Sequence, residues 1–165
     1  MPRMPSNRFQ IGRGLVIWVP LLLAADQATK ALATAFIRPG DTVFRFWRFG
    51  LTHRTNTGFA LSIFKDHAWV RPFVISLTLI LIPVFFLIYR RFTARLKTGS
   101  LAKIAFVLLI SGTIGNFLDR LFLGYVRDFI VWPLPGTPNL ADLFIDAGIV
   151  CILIEWIGNR GPGKA

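Results

Sequence analysis

The sequence predicts a mainly α-helical membrane protein, a bundle of four transmembrane helices with a small strand-bearing platform on its outer side. Three observations carry this. The 165-residue chain is 54% hydrophobic with a mean hydropathy of +0.59. A soluble domain has an apolar share of about half even when glycine is counted. The apolar residues fall in blocks, so lipid rather than water is the expected solvent. The basic residues gather at block ends, so the net charge of +11 points to anionic lipid headgroups and not to nucleic acid. A chain this short is read as one integral membrane domain, residues 1–165.

The four blocks run over about residues 15–37, 70–89, 101–122 and 140–157. Each approaches the ~20 residues needed to cross ~30 Å of hydrocarbon; the fourth is short and needs local thinning or interfacial ends. The first block has a rival reading as a cleavable signal peptide, with Arg3, Arg8 and Arg13 as a basic start and Ala33-Thr34-Ala35 as a cleavage site. Asp26, Gln27 and Lys30 would then stand between apolar region and cleavage site, so a retained span is expected. With four spans both termini share a side. On that side Arg3, Arg8, Arg13, Arg90, Arg91, Arg95, Lys97, Arg160 and Lys164 occur without any acid, whereas loop 38–69 has Asp41 and Asp66 among its bases. Lys and Arg excess marks the cytoplasmic side, so both termini are expected there.

The outer loop has its own pattern. Phe44 to Phe49 is aromatic with partial alternation, as in a half-buried strand, and Gly50 and Thr55-Asn56-Thr57-Gly58 supply turns. Its aromatics suit a membrane interface. Two readings stand: a platform that takes part in the site, or a loop that only anchors. His53 and His67 lie here without nearby cysteines; a zinc site wants three or four spaced ligands, so both are read as solvent-exposed. Cys151, alone in an apolar run, reads as a small buried residue. Neither metal nor cofactor is expected. Ser62 and Ser111 lack a histidine partner for a serine triad.

Ionisable residues at membrane depth cost at least ~2.5–3.5 kcal/mol each and are functional candidates by default. Asp26 and Lys30, four apart, share a helix face and can neutralise each other. Asn116, Asp119 and Arg120 form one polar stripe near the outer end of the third span, with Asp119 and Arg120 read as an ion pair or brace. Ser111, Gly112 and Gly115 permit close helix approach there. Asp128 follows at the outer interface. Thr137 is positioned to cap the fourth helix, with Pro138 at its first position. Asp142 then lies in the first turn, where the helix dipole favours a carboxylate, and Asn139 and Asp146 share its face.

Asp128 and Asp142 are fourteen residues apart, and a loop with Pro133, Pro135 and Gly136 can fold them together. Two close carboxylates share a proton. The ionised member then serves as general base toward water, and the neutral member polarises a carbonyl and helps the amine leave. Asp142, at a helix start, is the better candidate for the ionised member. Interfacial solvated acids and a proton pathway through Asp26, Asp119, Asp142 and Asp146, as in a small proton-coupled transporter, compete with a catalytic dyad. A non-catalytic assembly factor is a third reading. The gathering of Asp119, Asp128 and Asp142 at one membrane face favours a hydrolase.

The same residues resemble the lipoprotein signal peptidase, or signal peptidase II, family. Asp26-Gln27-Ala28-Thr29-Lys30 is similar to its D-Q-x-x-K, and Asn56-Thr57-Gly58-Phe59-Ala60 to its N-x-G-x-A. Gly115-Asn116-Phe117-Leu118-Asp119-Arg120, then Gly124 and Val126-Arg127-Asp128-Phe129, resemble G-N-x-x-D-R…G-x-V-x-D-F, and Asn139-Leu140-Ala141-Asp142 resembles N-x-A-D. The likeness spans roughly residues 12 to 157. It implies a four-transmembrane-helix bundle with a small extracytoplasmic β-sheet cradle, in the bacterial cytoplasmic (inner) membrane. The implied activity is an aspartic endopeptidase that cuts diacylglyceryl-modified prolipoproteins before the lipidated cysteine. Asp128 and Asp142 are the implied catalytic pair. Asp26, Lys30, Asn56, Gly58, Asn116, Asp119, Arg120 and Asn139 fall on supporting or substrate-binding positions. Membrane lipids are the other expected partner, and a monomer is expected. Three residues depart from the pattern: Phe59, Arg127 and Pro138. A cation at Arg127 can lower the pKa of the neighbouring Asp128.

Overall fold

The computed structural model describes residues 8–58, 67–95 and 100–159. Phe59 and Ala60 of the N-x-G-x-A stretch, Ser62, and the terminal bases Arg3, Arg160 and Lys164 lie outside the described residues, as does Lys97. Four helices and three strands follow in the order α1 (Arg8–Phe36), β1 (Thr42–Phe46), β2 (Phe49–Asn56), α2 (Val70–Arg95), α3 (Ser100–Phe122), β3 (Val126–Val131) and α4 (Leu140–Asn159).

Within these, Val16–Phe36, Val70–Leu87 and Leu101–Phe122 are long and apolar enough to cross a membrane. α4 has 20 residues but carries Asp142, Asp146 and Glu155, and is not one of them. The helices are apolar outside and polar inside. Val16, Trp18, Leu21, Phe73, Ile80 and Leu153 are exposed, whereas Asp26, Lys30, Ser111, Asn116, Asp119 and Asn139 are buried. An apolar surface of this extent is stable in hydrocarbon rather than water, and there helix association relies on close packing and interhelical hydrogen bonds.

α3 is the hub, packed most heavily on α4 and α1 and also on α2. Small residues allow this. A Cβ on Gly112 would collide with the Ala141 carbonyl, and one on Gly115 would stand 2.5 Å from Asp26 Oδ2. At the opposite end of α3 from the site, Tyr89 of α2 stacks on Phe106 at 4.1 Å between ring centroids. They help line an apolar pocket of about 140 Å³ with Phe85, Leu109 and Ile152.

The strands form one antiparallel sheet in the order β1-β2-β3. It corrects two expectations. Phe44–Phe49 is not a half-buried strand: it is a hairpin turning at Trp47-Arg48, and Phe44, Phe46, Trp47 and Phe49 are all exposed. The register slips between Val43 and Phe46, and Phe44 and Trp47 take positive φ (51° and 52°), so the pleat that would bury alternate rings is broken. His53 is buried, not solvent-exposed, because its Nδ1 lies 3.0 Å from the Ile37 carbonyl at the end of α1. His67 is exposed and Cys151 half-buried.

Candidate active site

The site lies where the end of α3, the start of α4 and the middle of β3 meet. β3 is a strand because Val126, Asp128 and Phe129 are buried on pairing with β2, with Arg54 opposite Asp128 and Asn56 opposite Val126. The following chain turns through Gly136, at φ 93°. It then returns so that Pro138 accepts hydrogen bonds from the Phe129 and Ile130 N–H groups, at 3.3 and 2.8 Å. This double bond pins the start of α4 beside Asp128, and it gives Pro138, a departure from the family pattern, a part that needs only its carbonyl.

Asn139, not Thr137, caps α4. Its side-chain oxygen accepts from Asp142 N at 3.1 Å, and its own N–H donates to Asp142 Oδ2 at 3.0 Å. This reciprocal pair has the logic of a capping box, in which two otherwise unpaired helix-start donors are satisfied at once. It starts the helix at Leu140, two residues later than the Thr137–Pro138 reading. Asn139 Nδ2 also donates to Asp128 Oδ1 at 2.8 Å. One asparagine therefore touches both aspartates.

Asn116 completes the link. Its Nδ2 donates to Asp142 Oδ1 at 2.7 Å, and its Oδ1 accepts from Lys30 Nζ at 3.0 Å. Lys30, fully buried, pairs with Asp26 at 2.9 Å and approaches Asp119 at 3.5 Å. Asp26 Oδ1 in turn accepts the Ala141 N–H at 2.9 Å. A carboxylate of the first helix thus sits on the positive end of the last.

Arg120 does not pair with Asp119. Its guanidinium donates to the Gly58 and Asn116 carbonyls at 3.2 and 3.4 Å, and it lies within electrostatic reach of Asp142, Asp128 and, more weakly, Asp119. Asn56 folds back to accept the Gly58 N–H at 3.0 Å. Asp119 instead holds Arg127, through Nη2 at 2.7 Å, Nε at 3.2 Å and the backbone N–H at 3.0 Å. Neighbours on a strand face opposite ways, so the Arg127 side chain turns away from Asp128 and onto Asp119 and Gln27. Burial pushes the Asp128 carboxyl up to about 7 and the charge of Asp142 adds to this; hydrogen bonds from Asn139 and Asn56 and the Lys30 charge oppose it only in part.

A profile of the family described as signal peptidase (SPase) II matches residues 18–158. The chain belongs to the signal peptidase II family. Among relatives, the lipoprotein signal peptidase of Dehalococcoides mccartyi strain CBDB1 is 35% identical over 149 residues, 88% of this chain and 91% of its own. That of Caldicellulosiruptor bescii is 36% identical over 140 residues, 84% of this chain and 88% of its own. A solved bacterial membrane enzyme shares the fold, with a TM-score of 0.82 at 24% identity over 98% of this chain and 97% of its own.

Against this family background, the structure draws together every candidate residue that the sequence marked: Asp26, Lys30, Asn56, Gly58, Asn116, Asp119, Arg120, Asp128, Asn139 and Asp142. Asp146 stays exposed on α4, apart from the cluster. Three contributors were not marked. Gln27 donates to Asp26, the Gly115 carbonyl and Asp119 at 3.0, 3.2 and 3.3 Å; its adjacency to Asp26 was the available signal. Arg127 was noticed only as a departure. Arg71 of α2 donates to the Arg120 and Leu121 carbonyls at 3.1 and 3.0 Å, closing the C-terminal end of α3, and no local pattern announces it.

Proposed function

We propose that this protein is an aspartic endopeptidase that removes the signal peptide from diacylglyceryl-modified prolipoproteins, cutting N-terminal to the lipidated cysteine. The reading is supported above all by Asn139 bonding both Asp128 and Asp142 in a family member. The transporter reading has no support among the relatives, which are peptidases.

Asp142 accepts two N–H donors, from Asn116 and Asn139, which fix its carboxylate beside Asp128. Asp128 has burial and a neighbouring negative charge to keep it protonated near neutrality. Asp142 takes a proton from water as the oxygen attacks the scissile carbonyl. Protonated Asp128 polarises that carbonyl, and the proton taken from water passes to the departing amine. The pair titrates as a unit. Acyl chains held in the bilayer bring the cysteine region to the interfacial pair and lower the entropy cost of alignment.

The accompanying topology is one domain over residues 1–165. α4 is a fourth, short span, both termini are cytoplasmic, and the pair lies at the extracytoplasmic face of the bacterial inner membrane. The enzyme works as a monomer among membrane lipids, with Asp26, Lys30, Asn56, Gly58, Asn116, Asp119, Arg120 and Asn139 supporting the pair or the substrate.

The test is gel-shift cleavage of a diacylglyceryl-modified precursor by the purified protein. Wild type cuts, while Asp128→Asn and Asp142→Asn lose at least ~100-fold, the scale of a lost acid–base group, and stay folded. Equal cutting by all three would remove the dyad.

A further inference from the structure

Arg127 is the residue of the cluster that the signal peptidase II pattern does not supply, and it is deeply committed. Its side chain, 14% exposed, gives three hydrogen bonds: two to Asp119 and a third, Nη2 to Gln27 Oε1, at 2.7 Å. Its backbone N–H adds a fourth hydrogen bond, the third to Asp119.

The charges around the aspartate pair can be taken element by element. α1 brings Asp26 and Lys30, both fully buried; α3 brings Asp119 and Arg120; β3 brings Asp128 and Arg127; and α4 brings Asp142. Arg54 of β2, opposite Asp128 in register, is exposed, as are Asp146 of α4 and Arg71 of α2. Water screens those three. His53 of β2 is buried against the Ile37 carbonyl. The enclosed set is therefore four carboxylates facing three cations. It is neutral when one carboxylate carries a proton. Asp26 and Asp119 are held by Lys30, Arg127 and backbone or Gln27 donors, so the proton falls to the Asp128–Asp142 pair.

We infer that Arg127 sets the proton count of the Asp128–Asp142 pair, acting through Asp119 as a charge-balancing positioning residue. Without it the enclosed set has a net negative charge, and the pair holds its single proton, and accepts a second, at higher pH. The inference rests on the peptidase reading for its kinetic consequence but not for the titration itself.

The experiment uses the full-length protein as wild type, Arg127→Lys, Arg127→Gln and the double variant Arg127→Gln/Asp119→Asn. Two readouts are taken across pH: cleavage of a diacylglyceryl-modified precursor, and the carboxyl carbon chemical shifts of Asp128 and Asp142. Arg127→Gln moves both limbs of the profile and both titrations upward by roughly half to one pH unit, the scale of one unit charge at such separations. Arg127→Lys keeps the wild-type positions while losing rate, because the charge survives and the forked geometry does not. The double variant, neutral again, returns to the wild-type positions. A rate lost equally at every pH with unmoved titrations makes Arg127 a structural brace and overturns the inference. Should Arg127→Gln fail to fold, the double variant decides, since limbs displaced from wild type overturn it equally. A wild type that does not cleave would sink the peptidase reading, while the carbon titrations would still decide the charge balance.

Discussion

Asp128 is 5% exposed, and an ionised carboxylate in that position is poorly solvated. Its folded pKa, about 7, lies above the ordinary aspartate value of 3.8. The folded state therefore binds this proton more tightly than the unfolded one. The stability it lends is fully present below about pH 4 and is lost as pH rises through about 7. Asp128→Asn removes the titrating group, so its melting temperature exceeds that of wild type more at pH 8 than at pH 5, with up to about 4 kcal/mol at stake. A pH-independent difference in thermal melts would refute this. Asn139 presents the complementary case. Asn139→Ala deletes a helix cap, costing about 1–2 kcal/mol, and leaves Asp128 without its short donor. Thermal stability and cleavage fall together in this variant, whereas Asp142→Asn keeps one acceptor oxygen for these donors and loses cleavage far more than stability.

The elements show which features were legible in the sequence. Helices from lipid-length apolar runs were readable because a membrane imposes length and polarity at once: α3 began within one residue of its expected start, and α1 and α2 ran longer than expected only at their basic ends. β3 was not read as a strand, because Val126–Val131 is defined by pairing with β2, seventy residues upstream, rather than by local alternation. The Thr137–Pro138 start of α4 was misread for a related reason: Asn139 won the cap because its side chain and Asp142 satisfy each other. That the ten marked residues lie close together was legible from buried charge in apolar segments and from the motif spacing, yet Asp119 was given the wrong arginine. Adjacency favoured Arg120, but Arg120 turns to the Gly58 carbonyl. The α3–α4 junction yields a further prediction. Gly112→Val forces a side chain into the Ala141 carbonyl and displaces the first turn of α4. Cleavage is lost and thermal stability drops by about 1–3 kcal/mol, as for overpacked sites; unchanged melting and turnover would mean the helices can part freely.

Across the whole molecule, the tie between Asp26 and the Ala141 N–H spans 115 residues. That has a consequence in time. During synthesis Asp26 enters the membrane with only near neighbours, Lys30 and Gln27, to satisfy it. Its last partner emerges on the order of ten seconds later at ordinary elongation rates. Every nascent chain therefore passes through a period in which its first segment is anchored and its acid pair does not yet exist. The buried polar cluster therefore closes late and all at once, with α4, so an unfinished or prematurely terminated copy lodges in the bilayer without Asp142 and without the Asn139 link to Asp128.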